Sequence, residues 1–317
     1  MTVAATVRPT SVLVTGSAGF IAAHLLRRLH GAGGFALASV DRRPRNPLPG
    51  ETFVRGDLSE PGTLDQLPPA DVVCHLAGQT SARRSQEEPF KEVRDNIVGV
   101  LRVLAFARRC GARHVVFTSS MGVYGEGSDG TPLAETATTT PASVYGADKL
   151  AGEHYCRIFA REGMSLTVLR LFNVYGPGQD MDNLVQGMAS IYLRYVSRGE
   201  EVPVTGSLDR FRDFVYVDDV VDALVLVLRD PVAAHGVFNV GTGVRTSVRE
   251  LIDVIAAEYG HPPGRYPARD IGAHSGDVFG NVAAIDKLMR LGWRPRHSLQ
   301  EGIAKMAAWL KAFEGFQ

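Results

Sequence analysis

Apolar residues in the first half of the chain fall into short continuous runs separated by amphipathic stretches. Val12 to Thr15 is one such run and leads straight into glycine. A helical pattern follows from Phe20 to Leu29, and Ala36 to Val40 reads as a second strand. Strand, glycine turn, helix and strand in that order open a parallel sheet. Asp71 to Leu76, His114 to Thr118 and Leu166 to Arg170 read as further strands, with helices over Asn96 to Arg109 and 147–162 between them. The runs are continuous, not alternating, which predicts a sheet covered on both faces.

After Phe172 the periodicity loosens. Residues 176–187 carry glycines, a proline, Asp180, Asp182 and Asn183, a composition that predicts a loop over a cleft. A helix is expected over 188–198. Phe214 through Leu228 reads as a strand end plus a helix that returns to the first domain. Thr246 to Tyr259 reads as a helix opening on a capping box, Ser247 with Glu250. Residues 261–276, rich in Pro, Gly and charge, predict a loop. The expected fold is α/β: a Rossmann-type doubly wound parallel sheet with a smaller C-terminal α/β substrate domain. The expected boundaries are 1–172 and 173–317, with segments of about 213–240 returning to the first sheet.

Composition changes this picture little. The 317 residues are 45% hydrophobic and 21% charged, with formal net charge +0. Those are ordinary globular values, and the balance gives no basic stripe for nucleic acid. Cys74, Cys110 and Cys156 have no paired spacing, and no histidine–carboxylate set suggests a metal site. The first residues hold no apolar run of signal-peptide or membrane-span length, so a soluble cytoplasmic protein is expected.

Candidate chemistry begins at Thr15-Gly16-Ser17-Ala18-Gly19. Gly16 and Gly19 permit a tight turn and close approach to a pyrophosphate, which the N–H groups of the following helix then face. Asp41, at the end of the second strand, can accept hydrogen bonds from an adenosine ribose, and its charge favours NAD over NADP. Arg42 and Arg43 soften that preference. Asp57 of Gly56-Asp57-Leu58 is placed to meet the adenine amino group. Leu76-Ala77-Gly78 ends a strand where a cofactor can lie close. Tyr145 and Lys149 stand four apart at the start of a helix and share a face. A nearby ammonium is expected to favour tyrosinate and bring the phenol toward a useful proton-transfer range. Ser119 and Ser120 follow a strand and offer a hydroxyl at the same sheet edge.

These stretches together resemble the extended short-chain dehydrogenase/reductase family, in its nucleotide-sugar epimerase and dehydratase branch. The matching segments are TGSAGFIAAHL (15–25), GDL (56–58), HLAGQTS (75–81), FTSSMGVYG (117–125), YGADK (145–149), LRLFNVYGPG (169–178), RDFVYVDDVVDA (212–223) and LGWRP (291–295). The resemblance implies a catalytic triad of Ser120, Tyr145 and Lys149. It extends the NAD contacts to Phe20, Ile21, Leu58 and Asn96. It assigns a nucleotide diphosphate sugar to Ser81, Ser120, Tyr145, Asn173, Asn183 and Arg212, with Arg269 or His274 where the family carries an arginine. Arg210 is a candidate helper, weighed against a place in a solvated loop. The resemblance also implies a homodimer through a four-helix bundle built from helices 95–109 and 147–162. Val100, Val103, Leu104 and Leu150 fit either that bundle or burial within the subunit.

A 4,6-dehydratase of this branch carries an Asp-Glu pair directly after the active hydroxyl. Here those positions are Met121 and Gly122, and neither moves a proton. The expected function is therefore an NAD-dependent nucleotide-sugar 4-epimerase, with a UDP-hexose or UDP-uronic acid as substrate. The alternatives are a dehydratase or 4-ketoreductase of the same family, or a non-catalytic NAD-binding protein. Arg194 and Arg198 are candidates for a uronate carboxylate, and the 186–194 segment departs from the common family form.

Overall fold

The computed structural model describes residues 9–127, 130–161, 163–230, 234–272 and 278–314. The first half runs β1 (Thr10–Thr15), α1 (Phe20–Ala32), β2 (Phe35–Asp41), β3 (Thr52–Arg55), β4 (Val72–His75), α2 (Ala82–Glu87), α3 (Pro89–Val93), a π-helical turn (Arg94–Val98), α4 (Gly99–Arg109), β5 (His114–Ser120), α5 (Val144–Ala160) and β6 (Ser165–Leu171). It continues through β7 (Asn173–Tyr175), α6 (Met188–Ser197), β8 (Val202–Val204), β9 (Phe211–Arg212), β10 (Phe214–Tyr216), α7 (Val217–Arg229) and β11 (Gly236–Val240). The last elements are β12 (Thr246–Ser247), α8 (Val248–Ala257), β13 (Ala268–Asp270), α9 (Asp286–Met289) and α10 (Leu299–Glu314).

One parallel sheet has the order β11-β6-β5-β4-β1-β2-β3. The chain winds outward from β1 through β2 to β3, then crosses back to β4 on the other side of β1. A crevice opens at that reversal, above the carboxyl ends of β1 and β4. Thr15 pairs with His75, which sets Gly16 beside the segment that follows β4.

The continuous apolar runs have a simple cause. Successive strand residues point to opposite faces, and both faces are covered. Val12, Val14 and Cys74 pack with α1 and α7 through Leu25, Leu26 and Leu224. Leu13, Val73 and Val115 pack on the other face with Val103, Leu104 and Phe106 of α4. Each fully buried leucine contributes roughly 1.5–3 kcal/mol relative to exposure. Val100, Val103 and Leu104 are therefore core residues of the subunit, each at most 3% exposed.

A second core, on Tyr175, Leu193, Val204, Leu251, Ile255, Met306 and Leu310, forms the smaller C-terminal α/β domain. Two expectations are corrected. The predicted 261–276 loop contains a strand, β13, that pairs in parallel with β8. Partner backbone, not the polar Ala-Arg-Asp sequence, decides its conformation. The predicted 96–109 helix begins as a π turn continuous with α3, where buried Glu92 and Asn96 hydrogen-bond each other. The capping box at Ser247 and Glu250 forms as expected.

Candidate active site

The glycine turn explains its own sequence. Gly16 has φ 71, and a Cβ there would lie 2.7 Å from the Ala77 Cα. A Cβ on Gly19 would lie 2.9 Å from the Gly16 carbonyl oxygen. Only glycine lets the ends of β1 and β4 come this close. Gly19 caps α1 without a side-chain hydrogen bond, so no side chain of the cap competes for the first N–H groups of a thirteen-residue helix. An uncapped helix start over a Cβ-free turn fits a pyrophosphate. Phe20 and Ile21 open that helix, partly buried.

Asp41 closes the same turn. Its Oδ2 accepts from Ala18 N at 2.9 Å and its Oδ1 from Arg43 N at 2.8 Å. Arg43 donates to the Ala18 carbonyl at 2.6 Å, and Arg42 pairs with Asp95 at 3.1 Å and lies 3.9 Å from Asp57. The two arginines that soften the NAD preference are thus engaged by local acceptors. Asp57 accepts from Ser59 N and Ser59 Oγ, both at 2.8 Å. The Ser59 bonds and the Arg42 guanidinium hold its carboxyl below the usual value although burial works the other way. Leu58, Leu76, Ala77 and Gly78 are all partly buried along this crevice.

The next strand ends bring the proposed acid–base group together. Ser119 and Ser120 point to opposite sides. Ser119 Oγ donates to buried Glu153 at 2.7 Å, whereas Ser120 Oγ accepts from Gly122 N at 3.1 Å on the side where the Tyr145 ring lies. Ser143 caps α5 by accepting from Gly146 N at 3.1 Å, and Ser85 of α2 accepts from Tyr145 N at 3.0 Å. These two bonds fix the first turn of α5. Lys149, one turn on and 5% exposed, donates to the Thr118 carbonyl at 3.0 Å. Its Nζ lies 5.9 Å from the Tyr145 ring centroid.

The electrostatics correct one expectation. Burial pushes Tyr145 up to about 12, against the influence of the nearby Ser120 hydroxyl and with help from the charge of Glu92. Lys149 does not bring the phenol toward neutrality in the protein alone, because burial brings the lysine itself down to about 8. Burial also raises Asp148 to about 6, against the attraction of Lys149. His75, at the floor, is pushed down to about 3 by burial and by Lys149, and is therefore neutral.

Met121 and Gly122 follow Ser120 in a tight 3-10 turn. Met121 packs against the cluster of Val123, Tyr124, Phe172 and Ala283. A Cβ on Gly122 would lie 3.4 Å from Ser120 Oγ and 3.6 Å from Tyr145 Cε1. Neither position brings a second acid or base to the tyrosine.

The remaining predicted contacts stand on separate elements. Asn173 lies on β7 with a buried Oδ1 that has no hydrogen-bond partner. Asn183 sits in the 176–187 segment and accepts from Val185 N at 3.1 Å. Ser81 caps α2. Arg212 is 5% exposed and donates to the carbonyls of Phe211, Phe279 and Val278 at 2.7, 3.0 and 2.7 Å. Arg210 is also 5% exposed and reaches the Val278 carbonyl at 3.2 Å, so it is a buried tie and not a solvated loop residue. Arg269 stands on β13 and pairs with Glu201 at 3.4 Å, and Arg194 pairs with Asp182 at 3.0 Å. His274 lies outside the described residues.

Several polar residues escaped the sequence reading. Glu92 and Gln79 bind Asn96 at the cleft. Glu153, 0% exposed, receives Ser119 and both Nε and Nη2 of Arg170, behind the strand that carries Ser120. The available signal for Glu92 was its place four residues before Asn96. Glu153 offered none, since a glutamate on an amphipathic helix reads as surface. Among the described residues, no cluster of three or more His, Cys, Asp or Glu could hold a metal, and no helix is long and apolar enough to cross a membrane.

Known proteins resemble this chain over nearly its whole length. UDP-glucose 4-epimerase of Mycolicibacterium smegmatis is 37% identical over 315 residues, covering 94% of this chain and 98% of the relative. The crystal structure of the Thermus thermophilus UDP-glucose 4-epimerase complex with NAD superposes with a TM-score of 0.87 at 33% identity, covering 95% of this chain and 99% of that one. MoeE5 in complex with UDP-glucuronic acid and NAD superposes with a TM-score of 0.88 at 35% identity, covering 96% and 99%. The family model described as the NAD dependent epimerase/dehydratase family matches residues 12–241. The chain is an enzyme of that NAD-dependent family.

Proposed function

We propose that this enzyme is a nucleotide-sugar 4-epimerase whose substrate is a UDP-hexose or a UDP-uronic acid. The observation that carries the reading is the convergence of Ser120 Oγ and the Tyr145 ring at Gly122, beside buried Lys149, with Met121 and Gly122 where a dehydratase needs its second acid and base. The glycine turn, Asp41, Asp57, the Leu76–Gly78 strip and Lys149 would hold NAD, which when bound would supply the hydride acceptor and donor for the sugar C4. Tyr145, as tyrosinate, accepts the 4-hydroxyl proton; as phenol it returns it. Ser120 holds the same sugar oxygen. Lys149 carries the compensating positive charge and orients the ribose side of the site. Ala77 and Gly78, two small residues, are compatible with a 4-keto ring turning over beside the strip. Asn173, Asn183 and Arg212 hold the diphosphate, Arg212 by exchanging a carbonyl partner for a phosphate oxygen that matches its fork.

The test is incubation of the purified protein with UDP-, GDP-, CDP- and dTDP-sugars, without added cofactor, followed by NMR and mass spectrometry. Interconversion of C4 epimers of a UDP-sugar is expected. A stable 4-keto-6-deoxy product would favour dehydration, and stoichiometric consumption of added reduced cofactor would favour a ketoreductase. Tyr145→Phe is expected to retain NAD and lose about 10²–10⁴-fold in turnover.

The same reading includes a homodimer through α4 and α5. Since Val100, Val103 and Leu104 are spent on the subunit core, the contact would use outward residues such as Ile158, which is 54% exposed. Ile158→Asp should convert a dimer to a monomer by light scattering; an unchanged mass would remove this part of the reading.

A further inference from the structure

A buried carboxylate that proton transfer does not use stands beside the strip that follows β4. Glu92 of α3 is 2% exposed. Its Oε2 accepts from Gln79 Nε2 at 2.5 Å and its Oε1 from Asn96 Nδ2 at 2.6 Å. Gln79 and Asn96 are tied to each other in turn. Gln79 N donates to Asn96 Oδ1 at 2.9 Å, and Asn96 Nδ2 donates to the Gln79 carbonyl at 3.0 Å. Gln79 Nε2 also reaches the Ser81 carbonyl at 2.8 Å. One carboxylate thereby fixes the whole Gly78–Ser81 strip that leaves β4. The strip has no slack: a Cβ on Gly78 would lie 2.6 Å from Asn96 Oδ1 and 3.4 Å from Lys149 Nζ. Asn96 itself sits in the π turn, a distortion frequent at functional sites.

Burying a carboxylate is unfavourable by several kcal/mol unless it is hydrogen-bonded and faces positive charge. Glu92 has the hydrogen bonds; burial still raises its carboxyl above the usual value, with Asp148 adding to that rise and Gln79, Asn96 and Lys149 opposing it. We propose that Glu92 is a positioning residue of this active site: its carboxylate locks the Gly78–Ser81 strip through Gln79 and Asn96, and its charge opposes that of Lys149 at Tyr145. This rests on the reading of Tyr145 as the proton acceptor. The charged and titratable groups around Tyr145 are Glu92 from α3 and Asp148 and Lys149 from α5, with neutral His75 from β4 facing Lys149. Glu92 disfavours tyrosinate and favours the Lys149 ammonium. Removing its charge should therefore let the Tyr145 proton leave at lower pH.

The experiment uses the NAD-loaded protein. Glu92→Gln should move the acid-side limb of kcat/KM to lower pH by roughly one unit. The tyrosinate absorbance, taken as the difference from a Tyr145→Phe counterpart without substrate, should move the same way. Gln79→Leu removes the side-chain ties to Glu92 and to Ser81; KM for the nucleotide sugar should rise several-fold. Should Glu92→Gln fail to fold, Glu92→Asp preserves the charge on a shorter arm and should raise KM without moving the titrations. A folded Glu92→Gln with both titrations unmoved would overturn the charge role. Unchanged KM and NAD retention in Gln79→Leu or Glu92→Asp would overturn the positioning role. A wild-type protein that turns over no nucleotide sugar would instead remove the epimerase reading, and the tyrosinate titration and NAD retention would still decide Glu92.

Discussion

Gly16 shows how much one side chain can decide. Its φ of 71 and the 2.7 Å separation of a would-be Cβ from Ala77 mean that any other residue strains the turn and pushes β1 away from the strip after β4. Gly16→Ala is expected to cost about 1–3 kcal/mol and to strip NAD from the purified protein, read by thermal melting and cofactor content. The role of such residues was legible because the chemistry is local: a turn at a strand end, or two residues one helical turn apart. Ser120 was separable from Ser119 only by its distance from Tyr124 in the family motif; in the structure the strand's alternation separates them, one into the Glu153 network and one toward Gly122 and the Tyr145 ring. The proton affinity of Tyr145 was misjudged because burial, which depends on the whole fold, outweighs the single neighbour that spacing reveals.

At the scale of elements, α5 carries Tyr145 and Lys149, and its approach to β5 sets their position. Gly152 makes that approach possible: a Cβ there would lie 2.7 Å from Phe117 Cζ, and Phe117 is 1% exposed with no space to retreat. Gly152→Ala should therefore lift α5, costing about 1–3 kcal/mol and lowering kcat more than it raises KM. Loss of stability with kcat unchanged would show that the helix has moved without disturbing the pair. The parallel strands and α1 were readable from continuous apolar runs and the glycine turn. β13 was not, since its three residues form a strand only against β8. The breaks among α2, α3 and the π turn were not readable either, because Glu92, Asn96 and Ser85 take their roles from tertiary partners.

Across the whole molecule, the switch point between β1 and β4 gathers a turn from residue 16, a strip from 77 and a helix from 145. Two neutral histidines lie inside the same sheet. Burial pushes His75 down to about 3 and His114 down to about 4. The unfolded chain protonates them near 6.5, so on acidification it binds protons that the folded protein refuses, and stability falls as pH drops below about 6.5. The loss is up to about 1.4 kcal/mol per pH unit for each group. His114→Gln should reduce the difference between urea midpoints at neutral and mildly acidic pH; an unaltered difference would show that His114 does not contribute.

Epimerisation with internal return of hydrogen makes the sharpest demand on this site, since Tyr145 is the one acid–base group the proposal gives to the sugar. Conversion of a UDP-sugar in deuterium oxide, followed by proton NMR, should give the C4 epimer with its C4 hydrogen retained and no deuterium at C3 or C5. Deuterium at any of these carbons, or no epimer from the NAD-loaded protein, would contradict it.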